Sequence, residues 1–137
     1  MKMYMYVALV IITIITLYMT IPLTSPALLT SVISLTRPES SIRRDMLRIT
    51  PIGTHKEDVI KVIEEREWRV GFIRDTSGYF LQRGGRVSDG SGVEVGTQSI
   101  RIFLGRVLRG IDVDVYYAFD EDSKLIDIAI RRELDLI

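Results

Sequence analysis

Between Lys2 and Arg37 the chain carries no charged residue, a neutral run of 34 positions at one terminus. Every acidic residue lies at or after Glu39, so the chain divides into a membrane-like head and a polar body. Residues 3–21, Met-Tyr-Met-Tyr-Val-Ala-Leu-Val-Ile-Ile-Thr-Ile-Ile-Thr-Leu-Tyr-Met-Thr-Ile, form the most apolar part of the head. As a helix rising 1.5 Å per residue they reach roughly 28 Å, close to the ~30 Å hydrocarbon core of a bilayer. Their threonine hydroxyls can bond carbonyls one turn back. Tyr4, Tyr6 and Tyr18 stand near the ends, where amphipathic rings favour the headgroup region. Pro22 and Pro26 then stop the helix.

A cleaved signal peptide is the competing reading, because Ser25-Pro26-Ala27 places small residues where a signal peptidase cuts. The apolar run is longer than a usual signal core, and only Lys2 precedes it, which favours an uncleaved anchor. Orientation stays open on charge alone. Lys2 and the terminal amine place the N-terminus in the cytoplasm, whereas Arg37, Arg43, Arg44 and Arg48 argue the reverse.

From Glu39 onward there are 16 Lys and Arg against 18 Asp and Glu, a net charge of −2. That balance offers no basic face to track phosphates, so nucleic acid is not an expected partner. The absence of cysteine excludes disulfides, thiolate metal sites, cysteine nucleophiles and thioester-linked lipid. Without asparagine there is no N-glycosylation sequon either.

Residues 22–38, rich in Pro, Ser and Thr, read as a linker or a continued membrane-surface segment. Over 39–50, Ile42, Met46, Leu47 and Ile49 recur at helical spacing, and Pro51-Ile52-Gly53 breaks the pattern. A second helix is expected from about 55 to 66, with Val59, Ile60, Val62 and Ile63 on one buried arc. After Trp68 the period changes. Tyr79-Phe80-Leu81 reads as a short strand and the glycine-rich stretch 84–96 as a loop. Ile100, Ile102 and Leu104 alternate with polar or aromatic neighbours, as do Ile111, Val113, Val115, Tyr117 and Phe119. After a turn at 120–124, Ile126, Ile128 and Ile130 are expected on one face with Asp127 and Arg131 on the other. Helices first and an antiparallel sheet of three or four strands afterwards give an α+β fold of two layers. The expected organisation is an anchor at 1–21, a linker at 22–38 and the domain at 39–137.

Four features invite a chemical reading. His55 is the only histidine, and with no second imidazole or thiolate it cannot anchor a metal site of the common kinds. Thr54-x-x-Glu57 has capping-box spacing, Glu57 and Asp58 suit the positive end of a helix dipole, and Glu57 with Lys61 is a favourable i,i+4 pair. The stretch therefore reads as a helix start capped by Thr54 or His55. The 84–96 segment lacks the Gly-Lys-Ser/Thr ending of a P-loop, and Asp120-Glu121-Asp122-Ser123 lacks the twelve-residue frame of a calcium loop. Trp68, Phe72, Tyr79 and Phe80 have two readings, packing in the core or forming a patch that touches a partner. Those four are the candidate contact residues. No catalytic residue, metal, cofactor or small-molecule substrate is assigned.

Two segments read together resemble a known family. Ile52-Gly53-Thr54-His55-Lys56-Glu57-Asp58-Val59-Ile60-Lys61-Val62-Ile63 is similar to the helix-opening signature of the small outer-membrane lipoproteins of the SmpA/OmlA type. Val113-Asp114-Val115-Tyr116-Tyr117-Ala118-Phe119-Asp120, turning into Leu125-Ile126-Asp127-Ile128, resembles the closing hairpin of that family. The resemblance implies a fold like that of the β-lactamase inhibitor protein, two small helices on an antiparallel sheet, in a non-enzymatic envelope protein. It departs from the family in having no cysteine to carry lipid, and in placing His55 where the family's capping hydroxyl stands. The combined expectation is a single-pass inner-membrane protein, anchored in lipid through 3–21, whose periplasmic domain binds another envelope protein. The alternative is a secreted hydrolase inhibitor released by cleavage near Ala27.

Overall fold

Strand β6 (Ile111–Phe119) organises the domain, because Val113 through Phe119 is buried without interruption. A strand with one wet face alternates between buried and exposed positions, so β6 must be covered on both sides. The computed structural model describes residues 33–134 apart from Asp89 and Arg109. The expected membrane segment at 3–21 lies outside the described residues. Among the described residues no helix is long and apolar enough to cross a membrane.

Two helices, α1 (Glu39–Ile49) and α2 (Lys56–Glu65), precede seven strands. The main sheet is antiparallel in the order β1-β5-β6-β7, built from β1 (Arg69–Arg74), β5 (Gln98–Val107), β6 and β7 (Leu125–Leu134). Val113, Val115, Tyr117 and Phe119 point to the helices, where Ile42 and Met46 of α1 and Val59 and Ile63 of α2 are fully buried against them. The helices form for the reason their spacing suggests, one apolar face each.

The opposite face of the sheet is covered too, which corrects the expected two layers to three. The glycine-rich stretch is no loop. With Tyr79–Leu81 it forms a small sheet in the order β3-β2-β4, where β2 is Tyr79–Leu81, β3 Val87–Ser88 and β4 Val93–Val95. Gly84 and Gly85, both at positive φ, turn the chain from β2 into β3. Tyr79, Leu81, Val87 and Val95 of this sheet, with Phe72, pack on Tyr116, Ala118 and Ala129 of the main sheet. Tyr116 meets the Phe72 and Tyr79 rings edge-on, each at 6.1 Å between centroids, geometry contributing about 0.5–1.5 kcal/mol per pair beyond area burial.

Bulges set the register. Opposite Ala118 and Phe119 the pairing of β7 skips one residue, so Leu125, Ile128 and Ile130 face the helices and Ile126 is 40 % exposed. The expected alignment of Ile126 with Ile128 and Ile130 fails for that reason, since one extra residue reverses the facing of what precedes it. A bulge in β1 between Val70 and Phe72 likewise separates the faces of those residues.

The start of α2 also differs from expectation. His55 is the N-cap residue, yet its side chain makes no capping bond. The Thr54 hydroxyl donates to the Pro51 carbonyl at 2.6 Å instead. The cap is tertiary. The Lys56 N–H donates to the Ser123 carbonyl at 2.8 Å, and Gly53 N–H and Thr54 carbonyl bond the Leu125 carbonyl and N–H, each at 2.8 Å. The β6–β7 turn thus holds the helix start. Lys61 pairs with Asp58 at 3.1 Å rather than with Glu57. Lys56 is buried, its ammonium bonded to Asp75 and, at 2.9 Å, to Gln98. At the far end Glu67 takes positive φ and Trp68 N–H donates to Ile63 carbonyl at 3.0 Å, closing α2 in a Schellman-type turn.

Residues 33–38 belong to the packed unit, which begins at Ile33 rather than at 39. Ile33 and Leu35 lie against the helix-side core. A Cβ on Gly105 would come within 2.5 Å of Leu35 Cδ1, so only glycine leaves room for that leucine.

The Tyr117 hydroxyl is buried near Thr50 but makes no well-formed hydrogen bond among the described residues, and an unmet buried donor costs about 1–3 kcal/mol. Tyr117→Phe is therefore expected to leave stability unchanged or raise it by about 1 kcal/mol in urea unfolding. Destabilisation by more than about 1 kcal/mol would show that the hydroxyl has a partner.

Candidate functional site

Because β7 is an outer strand of the main sheet, half of its peptide groups point away from β6. Arg43 of α1 identifies which half. Its Nε donates to the Ile128 carbonyl at 2.7 Å, so the peptide groups of Ile128, and by alternation those of Ile130 and Arg132, face outward. At Ile128 side chains close the edge. Asp127 Oδ1 accepts the Ile128 N–H at 2.9 Å and Arg43 Nη2 at 2.6 Å, while Asp127 Oδ2 accepts the Tyr79 hydroxyl at 2.7 Å. Beyond this knot, among the described residues, no hydrogen bond reaches the outward groups of Ile130 and Arg132.

A groove of about 620 Å³ runs along that stretch. Residues 130–134 of β7 form one wall, the β2–β3 hairpin from Gln82 to Ser88 forms the other, and Glu39 closes the top. A smaller hollow of about 270 Å³ continues it past Arg43, Tyr79 and Asp127. The lining is mixed in charge, with Arg86, Arg131 and Arg132 alongside Glu39 and Glu133, and Arg131 binds both Tyr116 at 3.2 Å and Glu133 at 2.6 Å.

Electrostatics fix the protonation of the knot. Burial alone would push Asp127 up, but the Arg43 guanidinium, the Tyr79 hydroxyl and the Ile128 N–H outweigh it and hold the carboxyl below its ordinary range. Burial, then the hydrogen bond to Asp127, pushes the Tyr79 phenol well above its usual value. Tyr79 is therefore a fixed donor and Asp127 a fixed acceptor, an arrangement that positions groups rather than moving protons.

The four candidate contact residues do not form one patch. Trp68 is half-buried at the end of α2 on the helix side, 5.3 Å from the Arg66 guanidinium. Phe72 and Tyr79 meet on the opposite face through Tyr116, with Arg74 stacked on Phe72 at 4.1 Å. Phe80 is half-buried and follows Tyr79 on β2, so it points to the other side of the small sheet. Of the four, Tyr79 lines the smaller hollow. The sequence reading gave Arg43 and Asp127 no part in a site. The sequence held no signal for the pair, since an alternating strand places Asp127 on its polar face and Arg43 meets it only when α1 packs on β7.

His55 is exposed and joined to Lys124 through backbone pairing. Asp120 accepts the N–H groups of Asp122 and Lys124, each at 2.9 Å, which makes the acidic segment a self-bonded turn. No group of three or more metal-ligating side chains occurs among the described residues.

The chain matches no family model, no curated protein and no solved structure. The groove is thus described by its own geometry.

Removing the carboxylate at the centre of the knot tests its role. Asp127→Asn is expected to cost about 1–3 kcal/mol at pH 7. A carboxyl whose folded pKa is depressed contributes stability above its unfolded value and loses it as pH falls through the folded value. Wild type should therefore weaken below about pH 4, and the Asn variant should show a flatter acid limb in denaturant titrations. Parallel acid limbs would contradict the assignment.

Proposed function

We propose that this chain is a non-enzymatic protein-interaction module of the cell envelope, held at the inner membrane by residues 3–21 with its domain in the periplasm. The observation that carries the reading is the outer edge of β7, closed by side chains at Ile128 and open beside a groove at Ile130 and Arg132. An extended segment of a partner laid in the groove would add a strand there, its backbone bonding to β7 and its alternate side chains meeting the hairpin. Natural edges are usually blunted by charge, bulges or cover. Here Arg43 and Asp127 blunt only the end near the β6–β7 turn.

The resemblance of Gly53–Val59 and of the closing hairpin to the SmpA/OmlA lipoproteins supports the same class of role. The charge-free run of 34 residues supports the tether. With no cysteine available for lipid, a helix would serve as anchor.

The cysteine-free chain allows single-site crosslinking in cells. Arg86→Cys and Glu133→Cys, on opposite walls of the groove, are expected to capture one common envelope protein that Glu121→Cys does not. Equal capture at all three positions, or none at either wall, would contradict the groove. Alkaline carbonate extraction is expected to leave the chain in the membrane fraction. Intact mass separates the tethered form, which retains Met1, from a secreted inhibitor beginning at Leu28.

A further inference from the structure

The two edges of the main sheet are defended differently. β1 is interrupted by its bulge between Val70 and Phe72 and carries Arg69 and Arg74 at its ends, devices that keep natural edges from pairing. β7 is blunted at Ile128 alone, and the alternation that turns Ile130 and Arg132 outward turns Leu134 outward as well. Side chains of this stretch alternate too. Ile130, Arg132 and Leu134 lie on the helix side, whereas Arg131 and Glu133 lie on the side of the small sheet. Leu134 is 50 % exposed beside a buried Ile130.

A strand added to β7 must set its outward residues against those of β7. For a copy of β7 related by a two-fold axis, the axis can pass through any residue from Ile130 to Glu133. Centred on Arg131 or on Glu133, the pairing places like charges directly opposite, arginine on arginine or glutamate on glutamate, which destabilises a sheet. Centred on Ile130, it sets Arg132 against Ile128, whose peptide groups Arg43 and Asp127 already hold. Centred on Arg132, the positions agree. Ile130 of each copy exchanges backbone bonds with Leu134 of the other, and the two side chains cover one another. Arg131 of each copy faces Glu133 of the other, which extends the Arg131–Glu133 pair of each chain, at 2.6 Å, into a ring of alternating charge. The two Arg132 residues meet at the axis, but each guanidinium is turned to the carbonyls of Leu35 and Arg37.

We infer that the strand which occupies the β7 groove is the β7 of a second copy of this chain, paired antiparallel about Arg132. The inference rests on the groove reading proposed above and names its occupant. A two-fold axis perpendicular to the sheet keeps the helices of both copies on one face and the small sheets on the other. One antiparallel sheet then runs through both chains. The exposed Leu134 gains an apolar partner, and the knot at Ile128 marks where the pairing stops.

Sedimentation of the full chain in detergent tests this by charge reversal. Wild type is expected to pass from monomer to dimer as its concentration rises, with exchange at the Ile130 and Arg132 N–H groups fast in the dilute chain and slow in the dimer. Glu133 is exposed, so Glu133→Arg keeps the fold while setting arginine against Arg131. Arg131→Glu sets glutamate against Glu133. Each variant alone is expected to associate at least about tenfold more weakly. An equal mixture of the two is expected to recover dimers containing one copy of each, because every cross-strand pair is then of opposite charge. Glu133→Arg read alone decides the matter if Arg131→Glu, which gives up the bond to Tyr116, does not fold. A dimer that neither reversal weakens, or two folded variants whose mixture stays monomeric, would overturn the inference. Wild type that stays monomeric while Arg86→Cys captures a different protein overturns the second copy and leaves the groove standing. A monomer that captures nothing removes both.

Discussion

Coverage of β6 on both faces is the constraint on which the rest of the structure depends. Val113, Val115, Tyr117 and Phe119 are satisfied by the two helices. Tyr116 and Ala118, on the other face, are satisfied by a sheet of eight residues recruited from a glycine-rich segment. Asp114 joins them at 3 % exposure because Arg101 reaches across from β5 with two bonds, at 2.7 and 3.2 Å. Without the small sheet the Tyr116 and Ala118 face would be an exposed apolar strip flanked by Phe72, the kind of surface that drives association.

The same constraint creates the groove. Docking the small sheet onto β6 brings the β2–β3 hairpin alongside β7 without pairing to it, and α1 lies across the other side. Tyr79 belongs to both arrangements: its ring packs on Tyr116 while its hydroxyl fixes Asp127. Packing and edge chemistry are therefore coupled through one side chain, and the knot at Ile128 depends on the third layer being in place.

Much of the fold was legible in the sequence. Ile42 and Met46, and Val59 and Ile63, mark the faces of the helices, and the alternation over 111–119 marks β6. What escaped was non-local. The bulge that turns Ile126 outward depends on how β7 meets Phe119, and no period within 125–134 reveals it. The cap of α2 is a carbonyl of Ser123, 67 positions after Lys56, so Thr54 and His55 looked like the local candidates. Val87, Val93 and Val95 held the signal for the small sheet, but seven glycines between 71 and 96 obscured it. The site was less legible than the fold: Tyr79 stood out as an aromatic, whereas Arg43 and Asp127 acquire meaning only when α1 and β7 meet.

The central claim is that β7 is closed at Ile128 and open at Ile130 and Arg132. Amide hydrogen exchange on the full chain in vesicles measures this directly, residue by residue. The account predicts slow exchange at Ala129 and Arg131, whose N–H groups face β6, and fast exchange at Ile130 and Arg132 until a partner strand is added. Slow exchange at Ile130 and Arg132 in the isolated chain would mean the edge is already covered, and the proposed binding site would not exist.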